Sequence, residues 1–346
     1  MANENNKKPH GKKRIPNYPR IIGLSTVLLL ILAIIISIVV IIIRLNVWNK
    51  GVDYNMTAED YDKIKLDTKD NVVLIPPSIL AKDTYDGTTS ILIFGNDSYY
   101  EGCKDGSGII DSFAKKVPDA EIYNCCLPGS YLCSFNAEEK SPAECPEDYF
   151  TLFWLSVNLR WANFDKQYEA LSYLDPEKYD VARYEEVIKT LETVDLSKID
   201  VIMFCYDGHD YLRGNLPINY IGENAQTENI TSVLGASYTS IYLFNYMNPA
   251  IQYVFVSPGF CYAKDENGNN ISCAMRDTGN GTIAETFNAA RHITDYYGIS
   301  YVDMFSGVLI NEDNAFQYLE DDGITPNEKA RRLMADRLVT LLKERL

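Results

Sequence analysis

Histidine is almost absent from this chain of 346 residues: it occurs three times, at positions 10, 209 and 292. A chain so poor in imidazole has few ways to build a zinc centre or a histidine base. Its eight cysteines do not fill the gap. There is no Cys-x-x-Cys pair, and Cys205 and His209 stand four apart with nothing nearby to complete a ligand set. Neither a metal nor a cofactor is expected. Basic residues are scarce beyond position 44, where 25 Lys and Arg face 47 Asp and Glu, a net charge of −22 over 302 residues. Phosphate neutralisation needs clustered Lys and Arg, so nucleic acid is not expected as a partner. No internal repeat is present. An apolar content of 46% excludes wholesale disorder.

The first 44 residues differ from the rest. They hold seven basic residues and one acid, a net +6. Within them Ile21 to Ile43 runs 23 residues without a charge. At about 1.5 Å per residue that run spans a hydrocarbon core of about 30 Å. It is too long for the apolar part of a cleaved signal peptide, and Arg44-Leu45-Asn46-Val47-Trp48 offers no small-residue cleavage site. The expectation is a basic cytoplasmic tail over 1–20, a single-pass anchor over 21–43, a stalk and lead-in over 44–88, and an acidic domain over 89–346 outside the cell. All eight cysteines follow the anchor. In that compartment loop cysteines pair, and Cys261 with Cys273 is the pair to expect. Cys205, inside an apolar run, reads as a buried thiol. Oligomeric state is not legible.

Short apolar runs alternate with helical patterns along 89–346. Strand candidates are Ile91–Phe94, Ala120–Asn124, Val201–Cys205, Tyr253–Ser257 and Ser300–Asp303, with Val72–Ile75 as an extra short strand. Helix candidates are Ile109–Lys116, Tyr184–Val194, Ser237–Met247, Thr282–Tyr297 and Asn327–Leu346. Such alternation predicts an α/β protein, a doubly wound parallel sheet in a three-layer α/β/α sandwich. Sites in these folds lie beyond the carboxyl ends of the strands. The segments there are Gly95-Asn96-Asp97-Ser98, Cys125-Cys126-Leu127-Pro128-Gly129-Ser130, Tyr206-Asp207-Gly208-His209-Asp210 and Pro258-Gly259-Phe260. Asp321-Asp322-Gly323-Ile324-Thr325-Pro326-Asn327, before the last helix, joins them.

This series resembles the SGNH, or GDSL-type, hydrolases, a family of esterases, lipases, deacetylases and acyltransferases. Gly95-Asn96-Asp97-Ser98 is similar to their Gly-Asp-Ser block with one residue displaced. Asn124 to Gly129 keeps the Asn and last Gly of the second block. Asp207-Gly208-His209-Asp210 is similar to Gly-x-Asn-Asp, with His209 where Asn belongs. Asp322-Gly323-Ile324-Thr325-Pro326-Asn327 is similar to Asp-x-x-His, with Thr325 where the catalytic His belongs. The resemblance covers roughly 88–346. It implies Ser98 as nucleophile and an oxyanion hole from the amides of Ser98 and Gly129 with His209. Asp322 is the remaining member of the catalytic set.

The departures leave alternatives open. Threonine is no base near neutral pH, and a serine hydroxyl without one is a poor nucleophile. His209 can be an oxyanion donor, a relocated base bonded to Ser98, or a packed ring without chemistry. Ser98 can be a nucleophile or a helix cap. Thr325-Pro326-Asn327-Glu328 also reads as a capping box. His292 lies in a helix, with a surface or packing role. Tyr99, Tyr100, Tyr206 and Tyr211 are candidates for stacking on sugar.

The expected function is a cell-surface esterase, deacetylase or acyltransferase on an ester-bearing envelope carbohydrate or lipid. It would be a serine ester hydrolase acting through Ser98 with Thr325 in place of the usual His. The alternative is a catalytically silent domain that binds glycan or a partner protein at the cell envelope. A weaker third reading is a structural subunit of an envelope complex.

Overall fold

A computed structural model describes residues 29–40, 69–80, 83, 85–221, 224–306 and 309–346. The chain divides into two compact units, 1–64 and 65–346. In the first, residues 29–40 form a helix whose side chains are exposed. The rest of the expected anchor, the whole of the tail over 1–20 and the stalk up to residue 68 lie outside the described residues. Among the described residues no helix is long and apolar enough to cross a membrane.

The second unit is built on five parallel strands: β1 (Thr89–Gly95), β2 (Ala120–Cys126), β3 (Val201–Cys205), β4 (Gln252–Val256) and β5 (Ser300–Val302). Their order across the sheet is β2-β1-β3-β4-β5. The order reverses between β1 and β3, and ligands of such sheets bind beyond that switch point.

Both sheet faces are buried, which explains why the strands read as unbroken apolar runs. Alternate residues still serve different cores. Leu92, Phe94, Ile202, Phe204, Tyr253 and Phe255 face one layer, formed by α3 (Leu152–Trp161), α4 (Asp165–Leu171), α5 (Val181–Thr193), α7 (Val233–Met247) and α8 (Ile283–Tyr297). Ile91, Ile93, Val201, Met203, Val254 and Val256 face the other, formed by α2 (Ile109–Ala114) and α10 (Glu328–Leu342), which follows the single turn α9 (Ala315–Tyr318). Full burial of each such side chain is worth about 2 kcal/mol. The three-layer α/β/α expectation is therefore what the second unit shows.

Several local expectations shift. Helices α3 and α4 occupy a stretch where none was expected. Val72–Ile75 is not a strand. Instead Asn71 makes a single antiparallel bridge with Tyr301, and Gln252 pairs with the Ile75 backbone through both ends of its amide. The N-cap of α10 is Asn327, whose Oδ1 accepts from the Ala330 amide at 3.1 Å, not Thr325. The eight cysteines are free thiols. Cys261 and Cys273 do face each other across the hairpin Tyr262–Lys264/Asn270–Ser272, with the Cys261 amide 3.3 Å from the Cys273 Sγ.

Candidate functional site

Two tight turns leave the sheet at the switch point. β1 ends at Gly95, Asn96 follows, and α1 (Asp97–Tyr100) begins at once. β3 ends at Cys205, and Tyr206-Asp207-Gly208 lead into α6 (His209–Leu212). Gly95 is required by close approach: a Cβ there would lie 2.4 Å from the Cys205 carbonyl oxygen and 2.8 Å from the Cys126 Sγ. Asn96 and Asp207 clamp the turns together. The Asn96 side-chain amide donates to Asp207 Oδ1 at 2.8 Å, and the Asp207 amide donates to Asn96 Oδ1 at 2.9 Å.

Asp207 is the hub. Its Oδ1 also accepts from the His209 amide at 3.0 Å and meets the His209 Nδ1 at 2.7 Å. Its Oδ2 accepts from the Ser98 amide at 3.1 Å and the Ser98 hydroxyl at 2.7 Å. Burial alone would raise the Asp207 carboxyl. The His209 charge, then its hydrogen bond and that of Ser98, outweigh burial and hold the group well below the usual carboxylate range. The same contact works in reverse on the ring. Burial pulls His209 down, but the Asp207 charge and hydrogen bond, with Asp97 and Asp210 behind them, push it up to about 10. At neutral pH the pair is carboxylate and imidazolium.

This geometry sorts the three readings of His209. The ring is bonded to Asp207 and not to Ser98, so the relocated-base arrangement is not what the structure holds. An imidazolium could not accept the Ser98 proton in any case. Ser98 itself is 4% exposed. It lines a small cavity with Phe260, Ile310, Leu319, Ile324 and Pro326. It does not cap a helix either, for α1 starts one residue earlier and Asn96 is its N-cap residue.

Asp97 takes the position that sequence reasoning gave to Ser98. The Gly129 amide donates to Asp97 Oδ1 at 2.9 Å. The His209 Nδ1 lies 3.8 Å from Asp97 Oδ2, an oxygen with no hydrogen-bond partner among the described residues. Gly129 and His209 are the two groups that the resemblance places around the reacting centre, and both face Asp97. Burial first, then the Asp207 charge, raises the Asp97 carboxyl to about 6, against smaller opposing pulls from His209 and the Gly129 amide. Side chains of Asp97 and His209 remain 29% and 26% exposed. The signal was in the sequence: in Gly-Asp-Ser the third residue stands two after the glycine that closes the strand. Two after Gly95 is Asp97. No displaced residue is needed.

The surrounding loops are fixed to this centre. Gly129 has φ of +75°, and its loop is held by Tyr184, whose hydroxyl donates to the Pro128 carbonyl at 2.7 Å. Buried Asp210 accepts from the amides of Leu132 and Cys133, each at 2.9 Å. Arg213 lies between the rings of Tyr131 and Phe135, 3.9 Å from each centroid. Of the tyrosines expected near the cleft, Tyr99, Tyr206 and Tyr211 are buried and offer no face for sugar. Tyr100 is half-buried and donates to Asp180 at 2.6 Å.

Asp322 and Thr325 serve each other. The Thr325 hydroxyl donates to Asp322 Oδ2 at 2.6 Å, and the amides of Ile324 and Thr325 donate to Oδ1. Burial pushes Asp322 up, yet these bonds and the His209 charge leave it lowered. His292 is exposed on α8.

Asp97, Asp207 and His209 offer ligand atoms within 4.8 Å of one another. The fit to a cation is poor, because both Asp207 oxygens are taken and the His209 nitrogen facing the cluster is held by Asp207.

No family model matches the sequence, and no curated protein does. Solved structures do match. One is 15% identical, with a TM-score of 0.50 over 75% of this chain and 97% of that chain. A lipase/acylhydrolase from Enterococcus faecalis is 12% identical, with 75% of this chain and 97% of that chain covered and a TM-score of 0.40. A GDSL-like lipase from Bacteroides ovatus is 11% identical, with 74% and 99% covered and a TM-score of 0.40. At these identities the likeness concerns the fold. GDSL-like lipases and acylhydrolases are among the structural neighbours.

Proposed function

We propose that this chain is an envelope ester hydrolase or acyl-transfer enzyme, anchored through residues 21–43 with its acidic domain outside the cell. Its substrate class is an ester-bearing carbohydrate or lipid of the envelope. One observation carries the reading. The Asp97 carboxyl, the Gly129 amide and the His209 ring converge at the switch point of the sheet, where a carbonyl can meet both a base and donors. The names of the structural neighbours agree with ester chemistry without fixing it. The route through Ser98 requires that hydroxyl to leave Asp207 and find a base.

The test is release of acetate from acetylated wall polysaccharide by the full-length protein in detergent micelles. Sustained release above a heat-denatured control supports the reading, and its absence on folded protein overturns it. The localisation is checked by protease treatment of intact cells, which should remove the domain.

A second reading, a silent domain that binds glycan or a partner protein, is favoured by the way the Ser98 and Thr325 hydroxyls are both tied to carboxylates. Binding of wall polysaccharide without release of acetate would establish it.

A further inference from the structure

We propose that Asp97, not Ser98, is the reacting base of this cleft, and that it activates a water against a bound ester while the His209 ring donates to the carbonyl oxygen. The inference rests on the hydrolase reading above and names the residue that performs it.

Three geometric facts carry it. First, the Gly129 amide holds Asp97 Oδ1 at 2.9 Å, while Oδ2 is turned inward, buried and without a hydrogen-bond partner among the described residues, in a side chain that is 29% exposed. One donor leaves Oδ1 a second lone pair, an oriented acceptor for a water. Second, the His209 Nδ1 is committed to Asp207 at 2.7 Å, so Nε2–H is the donor the ring has left. Third, Ser98 is buried and its hydroxyl is committed to Asp207.

The protonation states fit the roles. The environments of two neighbouring groups are pushed apart, which is the pattern of an acid and base pair. The groups facing Asp97 and His209 are Asp207 and Asp210 from the β3 end and α6, Tyr131, Tyr179 and Tyr184 from the loop and helix layer, and Asp322 from the loop before α10. The tyrosines stay neutral across the working range, so the carboxylates and the imidazolium set the field.

The step balances. Asp97 Oδ1 takes one proton of a water, and the water oxygen forms a bond to the acyl carbon. The carbonyl π pair moves to oxygen, which His209 Nε2–H stabilises. On collapse the bond from the acyl carbon to the alcohol oxygen breaks, and Asp97 returns the proton to that oxygen. An ester and water become a carboxylic acid and an alcohol, with Asp97 unchanged and no covalent enzyme intermediate.

The experiment uses full-length protein in micelles with p-nitrophenyl acetate as the probe, comparing wild type, D97N and S98A. D97N keeps the Gly129 contact and removes a half-buried charge, so it is expected to fold, which thermal melting checks. Hydrolysis should fall at least 100-fold in D97N and less than 10-fold in S98A, and a fluorophosphonate should not inactivate the enzyme. The wild-type rate should rise through pH 6 and decline as pH approaches 10. Loss of activity in S98A with a fluorophosphonate adduct on Ser98 would overturn the proposal while leaving the hydrolase reading intact. An inactive wild type, or activity equal in all three proteins, would overturn both.

Discussion

Ser98 gives both its amide and its hydroxyl to a single oxygen of Asp207. The carboxylate thereby cups the first turn of α1 while its other oxygen holds Asn96 and His209. Asp207→Asn keeps the shape but removes the buried charge opposite a half-buried imidazolium. Breaking one side of such a pair costs about 3 kcal/mol. Urea denaturation of the variant should show a loss of that size. A loss under 1 kcal/mol would mean the switch-point turns are held by the backbone and Asn96 instead.

The His209 ring should titrate far above an ordinary imidazole. Ring signals followed by NMR are expected to change near pH 10, and in Asp207→Asn to return toward the usual range. The linkage has a definite sign. A raised pKa in the fold means the protonated ring is favoured there, so this contribution is complete below about pH 6.5. It is lost as pH climbs toward 10. Stability of the wild type should therefore decline over that interval, and His209→Asn should flatten the decline.

Gly129→Ala meets two obstacles. A φ of +75° strains any Cβ-bearing residue, and the new methyl would stand 3.0 Å from the Tyr179 ring. The expected loss is about 2 kcal/mol. The displaced amide would also leave Asp97, so hydrolysis should fall together with stability, measured by melting and by the acetate assay. A stable, fully active Gly129→Ala would detach this amide from the chemistry.

Cys261 and Cys273 are placed to join if the domain matures outside the cell. Non-reducing peptide maps of protein taken from the envelope should find them linked, with a mass lower by two hydrogens. Cys125, Cys126 and Cys205 are buried, and burial pushes each thiol up. They should resist iodoacetamide until the protein unfolds. Ready labelling of Cys205 in the native protein would contradict the packing around β3.

Much of the framework was readable because a doubly wound sheet writes itself as alternating periods. The run at Val201–Cys205 is the strand observed, and the ends of the other four moved by no more than a few residues. Helix α3 escaped because Leu152-Phe153-Trp154-Leu155-Ser156-Val157 is apolar on nearly every side, so no single face stands out. Helix α4 is two turns long, too short to declare a period. At the site the motifs were legible but the register was not. Ser98 drew attention because serine is the reactive type in the resembling block, whereas distance from the strand end points to Asp97. Asp207 as a hub could not be foreseen, since its five partners come from three different positions, two of them more than a hundred residues away.

The lead-in to the domain runs antiparallel to β5, bridged at Asn71 to Tyr301. It therefore arrives at the carboxyl end of the sheet. There the Lys69 amide donates to Asp303, and Asp70 accepts from both the Asp303 amide and Arg337, while Arg337 also reaches the Asp303 carbonyl. This latch is the mechanical root of the domain. Asp70, Asp303 and Arg337 fasten residues 69–71 to the β5 side of that rim. Three positions separate β5 from β1 in the sheet order, so the latch and the turn that carries Asp97 sit on different parts of the same rim.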